Sequence, residues 1–182
     1  MSSFTKSLCV LLLAGLVLFS CKKDEEVGPK NTINIEGAEY DLSQGLLIDY
    51  GPYAANEPNA QVLFLYSSGV KIHEVGGKLD STSGSGHAIY FEISSSVSKA
   101  LTEGEYLFNP YPPFKAGTFL YSYAVFKANF VTFDGEFYEM AEGKITVKKE
   151  GVNYVISFDC TETDGKHITG FYKGPLKVYD EK

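Results

Sequence analysis

The last third of the chain alternates between apolar and polar residues with the period of a β-strand. Lys144-Ile145-Thr146-Val147-Lys148 alternates, and Glu150-Gly151 follows as a turn. Tyr154, Ile156, Phe158 and Cys160 then share one face of a strand, while Ser157, Asp159 and Thr161 share the other. Asp164-Gly165 is a hairpin turn, because glycine accepts the positive φ that tight turns demand. Ile168 to Tyr179 runs back as a third strand. The pattern predicts an antiparallel meander with one dry side and one wet side.

The same grammar holds upstream. Asn31–Glu36 and Glu39–Asp49 predict an opening hairpin around Gly37. Gln61–Tyr66 and His87–Ser94 predict two more strands, with Ile89, Phe91 and Ile93 on one face. Ser81-Thr82-Ser83-Gly84-Ser85-Gly86 reads as a flexible polar connection. Gly104–Phe108 and Gly117–Phe133 complete the set, and Asp134-Gly135 reads as a turn between Phe133 and Phe137. Within Gly117–Phe133, alternation puts Phe119, Tyr121, Tyr123 and Val125 on one face, with Leu120, Ser122 and Ala124 on the other. Val97–Leu101 has room for a single helical turn, and no segment carries the spacing of a long amphipathic helix. About eight to ten strands must hide their edges, so the expected fold is all-β, an antiparallel β-sandwich or a flattened β-barrel.

The first twenty residues follow a different rule. Lys6 precedes an unbroken apolar or small stretch from Leu8 to Phe19, too short to span a bilayer as a helix. Residues 1–20 therefore read as a signal peptide. Leu18-Phe19-Ser20-Cys21 resembles a bacterial lipobox, with Phe19 bulkier than the small residue usual at that place. The resemblance implies cleavage between Ser20 and Cys21, and lipidation of Cys21 on an outer membrane. Lys22-Lys23-Asp24-Glu25-Glu26 resembles the charged export run of surface lipoproteins in Bacteroidota-type bacteria, which implies display at the cell surface. A solvated spacer on the periplasmic face is the alternative, since charged linkers extend themselves. Residues 21–30 thus form a tether, and residues 31–182 form one all-β domain. The closing strands, from Gly143 through Gly170-Phe171-Tyr172-Lys173-Gly174-Pro175-Leu176, resemble those of all-β lipoproteins of the same group. No activity is implied by that resemblance.

Charge narrows the partners. The formal net charge is −7, and all sixteen basic residues are lysine. Losing the leader with Lys6 takes the balance from −7 to −8. An acidic chain repels phosphate backbones, so no nucleic-acid partner is expected. Without arginine the chain lacks the planar fork that grips carboxylate or phosphate, so neutral or amphipathic partners fit better than anionic ones.

Catalytic and metal signatures are sparse. His73, His87 and His167 lie far apart, and His73-Glu74 lacks the second histidine of a zinc helix. Asp159 to Gly165 misses the register of a calcium loop and reads as a turn. Glu92, Asp134, Glu136 and Glu139 could serve a glycosidase, but spacing selects no pair. Neither a nucleophile elbow nor a phosphate or dinucleotide loop is present, so no metal and no cofactor are expected. Cys160, alone in the domain, reads as a small buried hydrophobe.

Aromatic density is the unusual feature. Twelve aromatic residues fall between Tyr106 and Tyr138. Most belong to the core, since aromatics dominate burial in a β-domain. In Asn109-Pro110-Tyr111-Pro112-Pro113-Phe114 the prolines stiffen a loop that would display Tyr111 and Phe114 for stacking on a sugar or filling a partner's pocket. The alternative folds both rings back over the end of the domain. The expected function is a membrane-anchored, non-catalytic binding or accessory module for a glycan, peptide or apolar ligand. A structural subunit of an envelope protein complex comes second, and a glycoside hydrolase or other enzyme third.

Overall fold

A computed structural model of the chain describes residues 28–182; the expected cleavage and lipidation site at Ser20 and Cys21, and most of the tether, lie outside the described residues. The described residues form twelve strands: β1 (Thr32–Ile35), β2 (Ala38–Asp41), β3 (Gln44–Pro52), β4 (Asn59–Tyr66), β5 (Val70–Val75), β6 (Lys78–Ser95), β7 (Gly104–Phe108), β8 (Thr118–Asn129), β9 (Asp134–Glu150), β10 (Asn153–Glu162), β11 (His167–Gly174) and β12 (Lys177–Asp180). Among the described residues no helix forms, and Val97–Leu101 is a bent loop. The fold is all-β. One mixed sheet runs β12-β3-β4-β6-β8-β7-β9-β10-β11-β1-β2 and curls strongly into a half-barrel.

Alternation explains the main core. Leu47, Leu63, Leu65, Ile89, Phe91, Ile93, Ile145, Ile156 and Phe158 point to the concave side and pack together. Tyr154, Ile156, Phe158 and Cys160 share that face as the period predicts. The antiparallel β9-β10-β11 meander and its turns at Gly151 and Gly165 also follow the pattern.

Other elements depart from the pattern for identifiable reasons. The expected strand Glu39–Asp49 is two, because the chain corners at Leu42-Ser43, where Ser43 N donates to Tyr66 O at 3.0 Å. Ile168 to Tyr179 also divides in two. Pro175 cannot donate to the ladder, and β12 crosses to pair in parallel with β3. A second parallel pair joins β7 to β8. The expected flexible connection at Ser81–Gly86 is the first half of β6, paired with β5 in register Val70↔Gly84 and Ile72↔Thr82. Its small residues permit a close backbone approach: a Cβ on Gly84 would lie 2.2 Å from Gly69 O. The turn between β8 and β9 lies at residues 130–133, and Asp134 and Gly135 already belong to β9.

A β-bulge in β8 overturns one face assignment. Between Phe119↔Ile93 and Ser122↔Phe91, two residues of β8, Leu120 and Tyr121, oppose one of β6, Glu92. The parity of the strand therefore flips. Phe119 joins Ala124 and Phe126 in the main core, while Tyr121 and Tyr123 turn to the convex face.

Candidate functional site

The convex face carries a second apolar cluster. β3 and β4 are apolar on both parities, so Leu46, Ile48 and Val62 are buried on the side opposite Leu47 and Leu63. Val125 and Ala128 from β8 join them, with Phe130 from the following turn. Such a face cannot stay bare, and a flap covers it. The hairpin of β5 and the first half of β6 folds over this face and lays Val70, Ile72 and Leu79 against the cluster. Gly84, at φ +86°, makes the bend that lets β6 serve both the flap and the main sheet.

The cover is incomplete. Between the flap and the sheet remains an open cleft of about 280 Å³. Its floor is Leu46, Ile48, Val62 and Phe64, its roof Ile72, Leu79 and Thr82. Its mouth is aromatic: Tyr50, Tyr90, Tyr123, Phe133 and Phe137. Burial falls steeply along this axis, from 1% exposure at Leu46 to 51% at Tyr50 and 70% at Phe133. Tyr90 and Tyr123 stack with centroids 4.8 Å apart and planes within 10°, and Phe137 stands 6.5 Å from Tyr123. Apart from the phenols, Asn129 and Thr82 are the polar side chains lining the cleft.

Electrostatics keeps the phenols neutral. Burial, helped by Glu92, pushes the Tyr90 hydroxyl well above its ordinary range, and burial also raises the pKa of Tyr123. Tyr50 is raised by burial and then by Glu181 and Glu92. Beside this group, Tyr53 donates to Glu92 Oε1 at 3.2 Å and is pushed up to about 12, chiefly by burial. All four are hydrogen-bond donors throughout the physiological range. The flap is latched to β12: Lys78 pairs with Glu181 at 3.2 Å, Leu79 N donates to Glu181 Oε1 at 3.2 Å, and Tyr179 OH donates to Glu74 Oε1 at 2.6 Å. Lys177 also pairs with Glu74.

The residues singled out from sequence are dispersed. Tyr111 is 75% exposed in the loop between β7 and β8, and Phe114 is half-buried against Tyr53 with centroids 4.9 Å apart. Neither lines the cleft; Phe114 approaches it only through Tyr53 and Glu92. His87 lies against Tyr40 at 4.3 Å, and burial lowers its pKa. His73 contacts Ser83 at 2.6 Å, and exposed His167 lies 3.7 Å from Asp159. Glu136 pairs with Lys127, Asp134 accepts from Thr132, and Glu92 accepts from Tyr53, so these carboxylates are engaged separately. No group of three or more His, Cys, Asp or Glu suited to a metal occurs among the described residues. Of the Asp159–Gly165 segment, the first four residues end β10 and the rest form the turn to β11, closed by Glu162, which accepts from Asp164 N and Lys166 N. Cys160 is buried and free.

What sequence reading missed is the cleft itself. Its signal was present in Gly45-Leu46-Leu47-Ile48 and Val62-Leu63-Phe64-Leu65-Tyr66, runs apolar on both parities, as in strands covered on both faces. Comparison with known protein families, curated proteins and solved structures finds no match to the chain.

Proposed function

We propose that this chain is a lipid-anchored outer-membrane binding module, displayed at the cell surface through Cys21, whose convex-face cleft holds a small apolar or amphipathic ligand. The carrying observation is a half-open cavity with a buried aliphatic floor and a mouth of neutral phenols. Its volume of about 280 Å³ is close to the lower end of small-molecule sites. Concave, mainly apolar lining with a few oriented polar groups is the general character of such sites. The cleft supports the apolar-ligand reading better than a glycan reading, because sugars need several hydrogen-bonding groups and this lining offers mostly hydrocarbon.

Titration with the uncharged fluorophore N-phenyl-1-naphthylamine tests the cleft. Phe133 and Phe137 are 70% and 52% exposed, so replacing both with Ala leaves the core intact. The double variant is expected to bind the probe at least about tenfold more weakly, two exposed aromatic contacts being removed. Unchanged affinity would remove the cleft from consideration. The anchor is tested separately, by incorporation of labelled palmitate. Cys21→Ser should abolish labelling and release the protein from the membrane fraction, and protease added to intact cells should degrade the wild type.

One observation favours a second reading as an envelope-complex subunit. Tyr121, Tyr123 and Phe137, exposed at 61%, 39% and 52%, adjoin across β8 and β9 in a shallow depression with Glu139 and Thr163. Exposed aromatic patches with polar rims mark protein interfaces. Crosslinking in intact cells through a photoreactive residue at position 121 should then capture one defined outer-membrane partner.

A further inference from the structure

We propose that the cleft selects a ligand with an apolar tail and a cationic head, an alkylammonium or quaternary ammonium group, whose charge rests against the rings of Tyr50, Tyr90 and Tyr123 at the mouth. The inference rests on the apolar-ligand reading of the cleft and adds the chemistry of the head group.

Three observations carry it. The first is the axis of the cavity. Leu46, Ile48 and Val62 at the floor are 1%, 5% and 2% exposed, whereas Tyr50 and Tyr123 at the mouth are 51% and 39% exposed. A tail enters the dry end, and the head stops among aromatic rings. Ring faces carry the negative side of the quadrupole and attract ammonium groups within about 6 Å.

The second is the sign of the charge around the mouth. Glu92 receives the Tyr53 hydroxyl at 3.2 Å rather than a lysine. The phenols themselves are neutral, so the sign is set by carboxylates: Glu92 acts on both Tyr90 and Tyr50, and Glu181, paired with Lys78, acts on Tyr50. The third is where the lysines go. No lysine lines the cleft among the described residues. Those near β12 are each committed to a carboxylate: Lys78 to Glu181, Lys177 to Glu74, Lys99 to Asp180 and Lys182 to Asp49. An anionic head would leave water with no cation to meet it, which is costly. A cationic head meets both the ring faces and the field of Glu92.

Calorimetry with three probes of one tail length decides the matter: decyltrimethylammonium, decyl sulfate and decyl maltoside. Each is used below its micelle concentration with the purified protein, in about 0.15 M salt so that attraction to the acidic surface at large is screened. The ammonium probe is expected to bind at least about tenfold more tightly than the sulfate. In Tyr123→Leu and in Glu92→Gln that preference should shrink severalfold; in Glu92→Gln, whose side chain does not line the cleft, the maltoside keeps its affinity and so reports an intact cleft. If the sulfate binds as tightly as the ammonium while the maltoside binds, the head-group inference fails and the cleft reading stands. A preference that survives in both variants would also overturn the inference, since it would belong to general surface charge. If none of the three binds, the cleft reading falls and takes this inference with it.

Discussion

At the scale of single residues, Asp49 does the most. Its side chain is fully buried, yet it accepts from Gly51 N at 2.7 Å, Ser98 Oγ at 2.8 Å, Gln61 Nε2 at 3.3 Å and Lys99 N, with Lys182 Nζ at 3.6 Å. Burial alone would raise its pKa, but the hydrogen bonds from Ser98, Gly51, Lys99 and Gln61 outweigh that and hold the carboxyl below its ordinary value of 3.8. The folded state therefore binds this proton less readily than the unfolded state. The carboxylate's contribution is complete above the unfolded value and is lost as pH falls through the depressed folded one. Urea unfolding should show Asp49→Ala less stable at pH 7 by about 3 kcal/mol, because two buried donors, Gly51 N and Gln61 Nε2, and two part-buried ones lose their acceptor. The gap between wild type and variant should narrow near pH 2; an equal gap at both pH values would refute the ionic account. Cys160 is the opposite case. Burial, with Asp159 adding to it, pushes its thiol up to about 12. It should stay unreactive toward a disulfide reagent at pH 8 until denaturant is added, since the thiolate is the reactive form.

At the scale of elements, the flap is the part most open to manipulation. It is built from β5 and the first half of β6, bends at Gly84 and is held to β12 by Glu74 and Glu181. Gly84→Ala would put a Cβ at φ +86° and 2.2 Å from Gly69 O, so it meets both strain and a backbone clash. Strain of that kind costs on the order of 1–3 kcal/mol, and the clash adds to it. Amide exchange over residues 70–84 should accelerate far more than in β9–β11. A different outcome is expected for Glu74→Gln with Glu181→Gln. Exposed ion pairs add little to global stability, so the unfolding midpoint should barely move while the flap amides exchange faster. Unchanged flap exchange in that variant would show that the apolar contacts of Ile72 and Leu79 hold the flap by themselves.

At the scale of the whole molecule, the C-terminal strand closes the architecture. β12 edges β3 in parallel, buries Tyr179 in the convex cluster to 2% exposure and, with Glu181 just beyond it, supplies Lys177, the Tyr179 hydroxyl and one carboxylate to the latch on the flap. The preceding crossing is braced by Tyr172, whose hydroxyl donates to Pro175 O at 2.7 Å, and by Leu176 beside Gly45. Truncation after Leu176 removes β12 with Lys177 and Tyr179, together with Glu181 and Lys182. Losing a buried tyrosine alone costs about 3–5 kcal/mol, which for a domain of this size lowers Tm by roughly 10 °C or more. Calorimetry should find that drop, and probe binding in the cleft should go with it. A truncated chain with wild-type Tm would show that β12 is an accessory edge.

Period-two alternation by itself determined the all-β class, the β9–β11 meander and the identity of the concave face, because a strand with one wet side displays its parity in sequence. It also placed Cys160 among the buried residues, where the structure finds it. Alternation could not determine what one inserted residue does: the bulge near Leu120 flips the parity of β8 and moves Tyr121 and Tyr123 to the outside. Nor could it show that the Ser- and Gly-rich stretch at 81–86 is a strand. That depends on β5 lying beside it with backbones too close for side chains. The cleft belongs wholly to the tertiary structure, since its floor, roof and mouth come from segments as far apart in sequence as Leu46 and Phe137. Local sequence specifies which face of each strand is apolar, and only the curl of the sheet and the fold of the flap decide how two such faces meet.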